Sequence, residues 1–374
     1  MKLGYVGLPC QMEGLRSIDL LSKEINQSWS KKVSLTIGLF CRENWAYSCF
    51  KALIEDEFNF KFEDISKFDI KKANIIGLQG KVTKLELPLK SSKAYVRAGC
   101  MVCMDFSCEL VDLAVGAVGS PPKWSTVIVR TKAGAELLKS AEDGGYLEVN
   151  PIENVKPGTM LVKKLSKSKL DEALTEEESK KVDGINVPHI LSADKTLENI
   201  KDEADGKGFK ELNSEIIETG LCSSCGTCST ACPEGYITMI DETPTLSEEC
   251  KEECNLCYLV CPRVALPTKL IKKEIFKNGQ TYEEGLGDFL EIVAVRAKDG
   301  EILEKGQDGG AVTALMKCAL DNNILDGVVS VKEGDNLWEP IPTLSKSKED
   351  LIKAIGTYYA YASTIQLVKK GDTN

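Results

Sequence analysis

Apolar positions cluster in short continuous runs near the start of the chain and again near its end, and several runs finish at a cysteine or a glycine turn. Lys2 to Leu8 reads as a short strand that leads straight into Pro9-Cys10-Gln11, and Met12 to Ile25 then has the spacing of an amphipathic helix. Val33 to Phe40 repeats the arrangement, a β-branched run ending at Cys41 and followed by a helix-like stretch through Glu57. Two strand ends, each finished by a cysteine, fall where ligands bind in open α/β sheets. Leu110 to Val118 and Trp124 to Val129 predict further strands, separated by the loop Gly119-Ser120-Pro121-Pro122, with a helix over Ala133 to Ala141.

From Lys164 to about Glu215 the chain turns to Lys, Glu, Asp and Ser and its apolar periodicity weakens, which predicts a charged linker with one solvated helix. A cysteine-rich stretch follows, then a helix-rich, charged connector to about Lys305. The last segment opens with Gly306-Gln307-Asp308-Gly309-Gly310-Ala311-Val312-Thr313 and predicts a helix over Ala311 to Asn322. Consecutive glycines at a helix start let backbone amides approach a phosphate or an electron-rich ring, although many such turns are only tight connections. Ile324 to Val331 reads as a strand, Trp338-Glu339-Pro340 as a turn, and Lys348 to Ile355 as a helix.

Composition narrows the classes. With 374 residues, 43% hydrophobic and 28% charged, the chain is long enough for two or three domains with real cores. No apolar run approaches the ~18 residues of a membrane span and no secretion signal is evident, so a cytoplasmic protein is expected. A formal charge of −10 argues against a general nucleic-acid binder. The single histidine, His189, excludes a zinc site with several imidazoles and argues against a histidine-based triad.

Fifteen cysteines without a secretion signal point to metal rather than disulfides. The stretch Cys222-x2-Cys225-x2-Cys228-x3-Cys232-Pro233 and then Cys250-x3-Cys254-x2-Cys257-x3-Cys261-Pro262 has the spacing of a module with two 4Fe-4S clusters. In that pattern the fourth ligand of each cluster comes from the other half, giving Cys222, Cys225, Cys228 and Cys261 to one and Cys250, Cys254, Cys257 and Cys232 to the other. A zinc ribbon or a disulfide-stapled module is the competing account of a Cys-x2-Cys pair. The second run opens one residue longer than the first, at Cys250. Cys10, Cys41, Cys100 and Cys103 are four further thiols, enough for a third 4Fe-4S cluster, unless Cys10 and Cys41 are merely buried small hydrophobes. Packing is the expected role of Cys49, Cys108 and Cys318.

Val6-Gly7-Leu8-Pro9-Cys10-Gln11, Ile37-Gly38-Leu39-Phe40-Cys41, Arg97-x2-Cys100-x2-Cys103-x-Asp105 and Gln307-Asp308-Gly309-Gly310 with Thr313 together resemble the beta subunit of coenzyme F420-reducing hydrogenase and its relatives. Those relatives include the F420H2-oxidising input subunits of archaeal respiratory complexes, where a two-cluster ferredoxin module is fused to the same core. The resemblance implies an α/β flavoprotein core, a mixed sheet with flanking helices, plus a small α+β ferredoxin-like domain with two clusters. It divides the chain into 1–163, the cluster-bearing C-terminal half of the family core; 164–215, a charged linker; 216–266, the ferredoxin-like domain; and 267–374, the flavin-binding N-terminal half. This order is circularly permuted, so the two termini are expected to lie close together. Complementing half-genes are the rival explanation.

The resemblance further implies FAD, held by Pro9, Gln11, Gln307, Gly309, Gly310 and Thr313, with hydride exchanged with coenzyme F420 and single electrons passed through 4Fe-4S clusters to a redox partner protein or complex subunit. No protein side chain need act as a covalent catalyst. Arg16 or Arg97 would favour the acidic tail of the coenzyme, or could as easily form ordinary ion pairs. Two alternatives stand beside this. One is an electron-transfer adaptor subunit of a hydrogenase, formate dehydrogenase or heterodisulfide reductase complex without its own F420 site; the other is a ferredoxin-dependent reductase of another conjugated substrate.

Overall fold

A computed structural model describes residues 1–250, 253–276 and 279–370. Among these residues fifteen strands are seen: β1 (Leu3–Gly7), β2 (Val33–Leu39), β3 (Lys67–Lys71), β4 (Asn74–Gln79), β5 (Val82–Pro88), β6 (Leu113–Gly116), β7 (Ser125–Val129), β8 (Leu147–Pro151), β9 (Ile237–Ile240), β10 (Thr243–Leu246), β11 (Thr281–Glu283), β12 (Gly287–Phe289), β13 (Glu291–Ala297), β14 (Gly327–Glu333) and β15 (Pro340–Ser345). Eight of them form one sheet in the order β15-β14-β1-β2-β6-β7-β13-β8. Its centre, β14, β1, β2 and β6, is parallel, and β15, β7, β13 and β8 add antiparallel pairings at the two sides.

The sheet is covered on both faces, and alternate residues of each strand enter different cores, as the period of two requires. Ala114, Ile128, Ile292 and Ala294 point into a core shared with Met12, Leu15 and Ile18 of the helix Pro9–Leu20 and with the cysteine-rich module. Leu113, Val115, Val127, Val129, Val293 and Val295 point the other way, onto the helices Lys132–Asp143 and Ala311–Asp321. The strands β3, β4 and β5 form a separate small sheet packed with Trp45, Phe50, Phe62 and Phe68.

Three segments differ from the sequence reading. The stretch expected as a linker is folded onto the core by a 24-residue helix, Thr159–Val182. Its buried positions, Val162, Ser166, Lys169, Ala173 and Glu177, have helical spacing, but three are polar, which is why the apolar periodicity was too weak to announce the helix. The charged connector is not chiefly helical either, since it supplies β13 to the interior of the sheet and the β11–β12 hairpin beside it. β15 occupies the stretch from Pro340, expected as a turn, and as an edge strand it tolerates Pro340 and Pro342.

The expected closeness of the termini falls partly on 371–374, outside the described residues. The helix Ile365–Lys370 packs on Trp29–Lys32, which leads into β2, and Val33 of β2 pairs with Leu3. Among the described residues no helix is long and apolar enough to cross a membrane.

Candidate functional site

β1 and β2 run parallel, so Pro9, Cys10 and Cys41, which follow their last residues, emerge at the same edge of the sheet. Cys100 lies on the short helix Ala98–Met101, and the Cys103 N–H donates to the Cys100 carbonyl at 3.2 Å. The Cys41 N–H donates to the Phe106 carbonyl at 2.9 Å, which ties the end of β2 to the segment carrying Cys103. Burial pushes the Cys41 thiol up to about 12; Lys169 opposes the rise, while Cys100 and Cys103 add to it. Burial likewise raises the Cys10 thiol, with Arg97 opposing and Cys103, Glu13 and Cys100 reinforcing. Cys10 and Cys41 retain some accessible surface, but their depth among protein atoms governs how poorly the thiolates are solvated. The four cysteines therefore form one electrostatic neighbourhood.

Three buried cations border it. Lys169, on the helix Thr159–Val182, donates through Nζ to the carbonyls of Cys41 at 2.6 Å and Asp105 at 2.8 Å. Arg263 follows the Cys261-Pro262 pair; its Nη1 lies 2.8 Å from Nε2 of His189 and 4.0 Å from the Glu13 carboxylate, and its Nη2 donates to the Gly99 carbonyl at 3.3 Å. Arg97 donates to the Ser223 carbonyl, lies 3.4 Å from Glu242 and stacks 3.9 Å from the centre of the Tyr361 ring. Thus His189, expected in a polar connection, is buried between module and core.

In the module, Gly226 adopts φ +81°, a left-handed turn that starts the helix Thr227–Ala231 and brings Cys228 back toward Cys225. After burial, the groups that most raise the Cys228 thiol are Cys225, Cys222, Cys261 and Cys257. Cys257 is pushed up to about 12 by burial, then by Cys254, Cys250 and Cys232. Cys261, whose thiol burial also raises, faces Cys225 and Cys222. Cys261 of the second run thus lies near Cys222, Cys225 and Cys228, and Cys232 of the first run near Cys254 and Cys257. The Ser224 N–H donates to Sγ of Cys222 at 3.3 Å.

Two glycines let the module approach the core. A Cβ on Gly99 would stand 2.2 Å from the Cys222 carbonyl oxygen, and one on Gly14 would stand 2.0 Å from Oγ1 of Thr227. Only hydrogen fits at either position. The thiols of Cys100 and Cys222 thus belong to segments in direct backbone contact.

Among the described residues no three His, Cys, Asp or Glu side chains close on one point as they would around a single ion. Single-ion ligands lie ~2.3 Å from a shared centre. In a cubane each iron has its own thiolate, so the sulfurs stand farther apart. Grouping in fours, thiolate chemistry and adjacent buried cations all suit an iron-sulfur cluster. Cys108 and Cys318 are buried as packing residues, whereas Cys49 is only half-buried.

The residues expected to hold a flavin divide between two places on the same sheet edge. Pro9 and Gln11 follow β1; Gln11 accepts from the Leu8 N–H through Oε1 at 2.8 Å and donates through Nε2 to the Ala362 carbonyl at 2.8 Å. Gln307, Gly309 and Gly310 follow β13. Nε2 of Gln307 donates to the Phe68 carbonyl at 3.0 Å, the Gly309 N–H donates to Oγ of Ser125 at 3.2 Å, and Gly310 caps the next helix at φ +65°. Thr313 is half-buried on that helix's first turn. Since β2, β6 and β7 lie between β1 and β13, the two places are roughly 19 Å apart, four strand spacings. An extended ligand could touch both; a compact one could not. Arg16 is occupied internally by the Leu110 carbonyl, Asp19 and Thr36, so it does not present a free cation.

Near the glycine turn, Lys67 donates to the carbonyls of Gly306 and Gln307 at 3.1 and 2.9 Å. Burial and Asp69 raise the Asp308 carboxyl, with Lys67, Lys71 and Lys123 opposing. Sequence reasoning missed this basic group, and also Lys169, Glu13 and Arg263. Only Arg263 had a signal, its place directly after a Cys-Pro pair. A separate cavity of about 1020 Å³ lies between the helix Thr159–Val182 and the segment after Cys100, lined by Met101, Met104, Phe106, Lys167 and Tyr282. None of the expected flavin residues lines it.

Comparison with known proteins decides the family. Two halves of the family "Coenzyme F420 hydrogenase/dehydrogenase, beta subunit" match: residues 1–155 fit the model of its C terminus, and residues 292–369 fit the model of its N terminus. The chain belongs to this beta subunit family. Its two family domains stand in swapped order, with 156–291 between them. Coenzyme F420 hydrogenase subunit beta of Methanosarcina barkeri is 37% identical over 185 residues, 50% of this chain and 63% of that protein. The protein of the same name from Methanothermobacter thermautotrophicus is 38% identical over 189 residues, 50% and 66% respectively. The chain thus spans just under two thirds of the length of these relatives. The Coenzyme F420-dependent sulfite reductase of Methanocaldococcus jannaschii is 36% identical over 161 residues, covering 42% of this chain and 23% of that protein. A chain in a solved structure of the F420-reducing [NiFe] hydrogenase complex of Methanosarcina barkeri is 38% identical, with a TM-score of 0.46, covering 49% of this chain and 63% of that one.

Proposed function

We propose that this beta-subunit-family chain is a flavin- and iron-sulfur-dependent oxidoreductase that exchanges hydride with coenzyme F420 and single electrons with a redox partner. Bound FAD would interconvert a hydride with single electrons, and three 4Fe-4S clusters would carry those electrons. The observation that carries the reading is the gathering of twelve cysteines into three groups of four, two in the module and one in the core, with Gly99 against Cys222 joining them.

The residues have separable tasks. Cys10, Cys41, Cys100 and Cys103 offer thiolates at the sheet edge, where Lys169, Arg97 and Arg263 offset negative charge. The first turn after Gly310 has no side-chain cap on its N–H groups, which suits it to an anionic or electron-rich ligand. The small β3–β5 sheet joins that turn through Lys67 and the Phe68 carbonyl, and so limits access of water. The family names of the relatives support coenzyme F420 as the hydride carrier.

One observation favours the adaptor alternative: the side-chain amides of Gln11 and Gln307 already have protein partners. Anaerobic purification with iron and flavin quantitation, followed by stopped-flow mixing with reduced coenzyme F420, separates the two. About twelve irons from three four-iron clusters, one flavin and rapid bleaching of its band are expected. About eight irons without flavin would sink the enzyme reading in favour of the adaptor.

A further inference from the structure

The segment between the two family domains does more than connect them. Its helix Thr159–Val182 drives Lys169, 5% exposed, into the core cysteine group. Both hydrogen bonds of the ammonium go to backbone carbonyls, those of Cys41 and Asp105. A buried charge requires compensation. The other two cations have nearby carboxylates, Glu242 for Arg97 and Glu13 for Arg263. Both also border the first group of the module, Arg97 on the Ser223 carbonyl and Arg263 directly after Cys261-Pro262, whereas Lys169 places its charge against the backbone of Cys41 and Asp105, inside the core cysteine group.

The second group of the module has different surroundings. Around Cys257 lie Cys254, Cys250 and Cys232, and the flanking Glu248, Glu249 and Glu253 are exposed. Lys369, the cation beside Cys232, is itself partly exposed and donates to the carbonyls of Thr230 and Cys232. A cluster that accepts an electron gains one negative charge, which a buried cation favours and neighbouring carboxylates oppose.

We propose that Lys169 is a positioning residue, the built-in counter-ion that makes the Cys10, Cys41, Cys100 and Cys103 site easier to reduce than the Cys232, Cys250, Cys254 and Cys257 site of the module. The inference rests on the three-cluster reading above. An electron at that module site is therefore drawn on toward the core, beside the sheet edge assigned to the hydride-exchanging cofactor. It also gives the inserted segment a part in redox chemistry, since Lys169 lies outside both family-matched stretches.

Redox titration followed by electron paramagnetic resonance, on the anaerobically purified full chain, tests the order directly. Dithionite supplies the electrons; the signal that disappears in Cys10→Ser is assigned to the core, and the one that disappears in Cys254→Ser to the second module group. The core signal is expected at a higher potential than that of the second module group. Lys169→Gln should retain about twelve irons, three four-iron clusters, while lowering the core reduction equilibrium at least tenfold, ~59 mV for one electron. Lys169→Arg should recover most of that shift. With twelve irons present, earlier reduction of the second module group or an unmoved core potential in Lys169→Gln overturns the inference alone. About eight irons in the unaltered chain overturn the three-cluster reading itself. Wild-type reduction order tests the proposal even if Lys169→Gln fails to fold.

Discussion

The module gathers its eight cysteines from one stretch, Cys222 to Cys261, whereas the core draws four from the ends of β1 and β2 and from the Cys100–Cys103 turn. In the module, local turns such as Gly226 bring the thiols together. In the core, long-range pairing of β1 with β2 and the Cys41–Phe106 backbone contact do so. The first arrangement needs correct spacing; the second needs a finished sheet and buried polar groups to hold its loops. Damage to the core should therefore spread farther through the fold, while damage to the module should remain local.

The strongest challenge is Cys10→Ser. Iron should fall from about twelve to about eight with flavin retained, because one four-iron site is lost. Unchanged iron in that variant would count against the core assignment. Next is Arg130, fully buried, whose guanidinium donates to the carbonyls of Ser107, Cys108, Leu286 and Asp288. It ties the loop after Cys103 to the β11–β12 hairpin. Arg130→Met should cost ~3 kcal/mol or more in denaturant unfolding, since several buried carbonyls lose their donor; a loss under about 1 kcal/mol would show that the core loops do not depend on it.

Gly99→Ala probes the join between the regions. Its new methyl meets the Cys222 carbonyl, and overpacking of this kind costs about 1–3 kcal/mol. Electron exchange between core and module should slow as the contact opens, and an unaltered rate and stability would argue against close docking. The smallest effect is expected at His189. Burial, then the neighbouring Arg263, lowers its pKa well below the ordinary value. The unfolded chain takes up a proton near pH 6.5 that the folded chain refuses. This stabilising contribution is present above pH 6.5 and declines as pH falls, by up to ~1.4 kcal/mol per pH unit. Stability measured between pH 7 and 5.5 should fall less steeply in His189→Gln.

How much was legible follows the same divide. β1, β2 and the helix after Gly310 could be read because their apolar runs are continuous and their ends are marked by Cys10, Cys41 and the glycine pair. The cysteine spacing of the module was likewise a local signal. β13 was hidden by the charged residues around a single short apolar run, and the helix Thr159–Val182 by the polar residues on its inward face. Lys169 carries no sequence mark at all, because its role depends on which distant carbonyls the folded helix meets. The separation of Gln11 from Gly309 depends on strand order, which neither motif encodes.

The interleaving of the sheet has a consequence for synthesis. β13 lies between β7 and β8, although both neighbours come from the first family-matched stretch and β13 starts just ahead of the second. On the ribosome, β7 and β8 emerge before the strand that joins them, a delay on the order of 10 s at ordinary elongation rates. Throughout that interval one edge of β7, a strand buried along its whole length in the finished protein, remains without its partner. The length of the insertion therefore also sets how long the nascent chain must be shielded from aggregation.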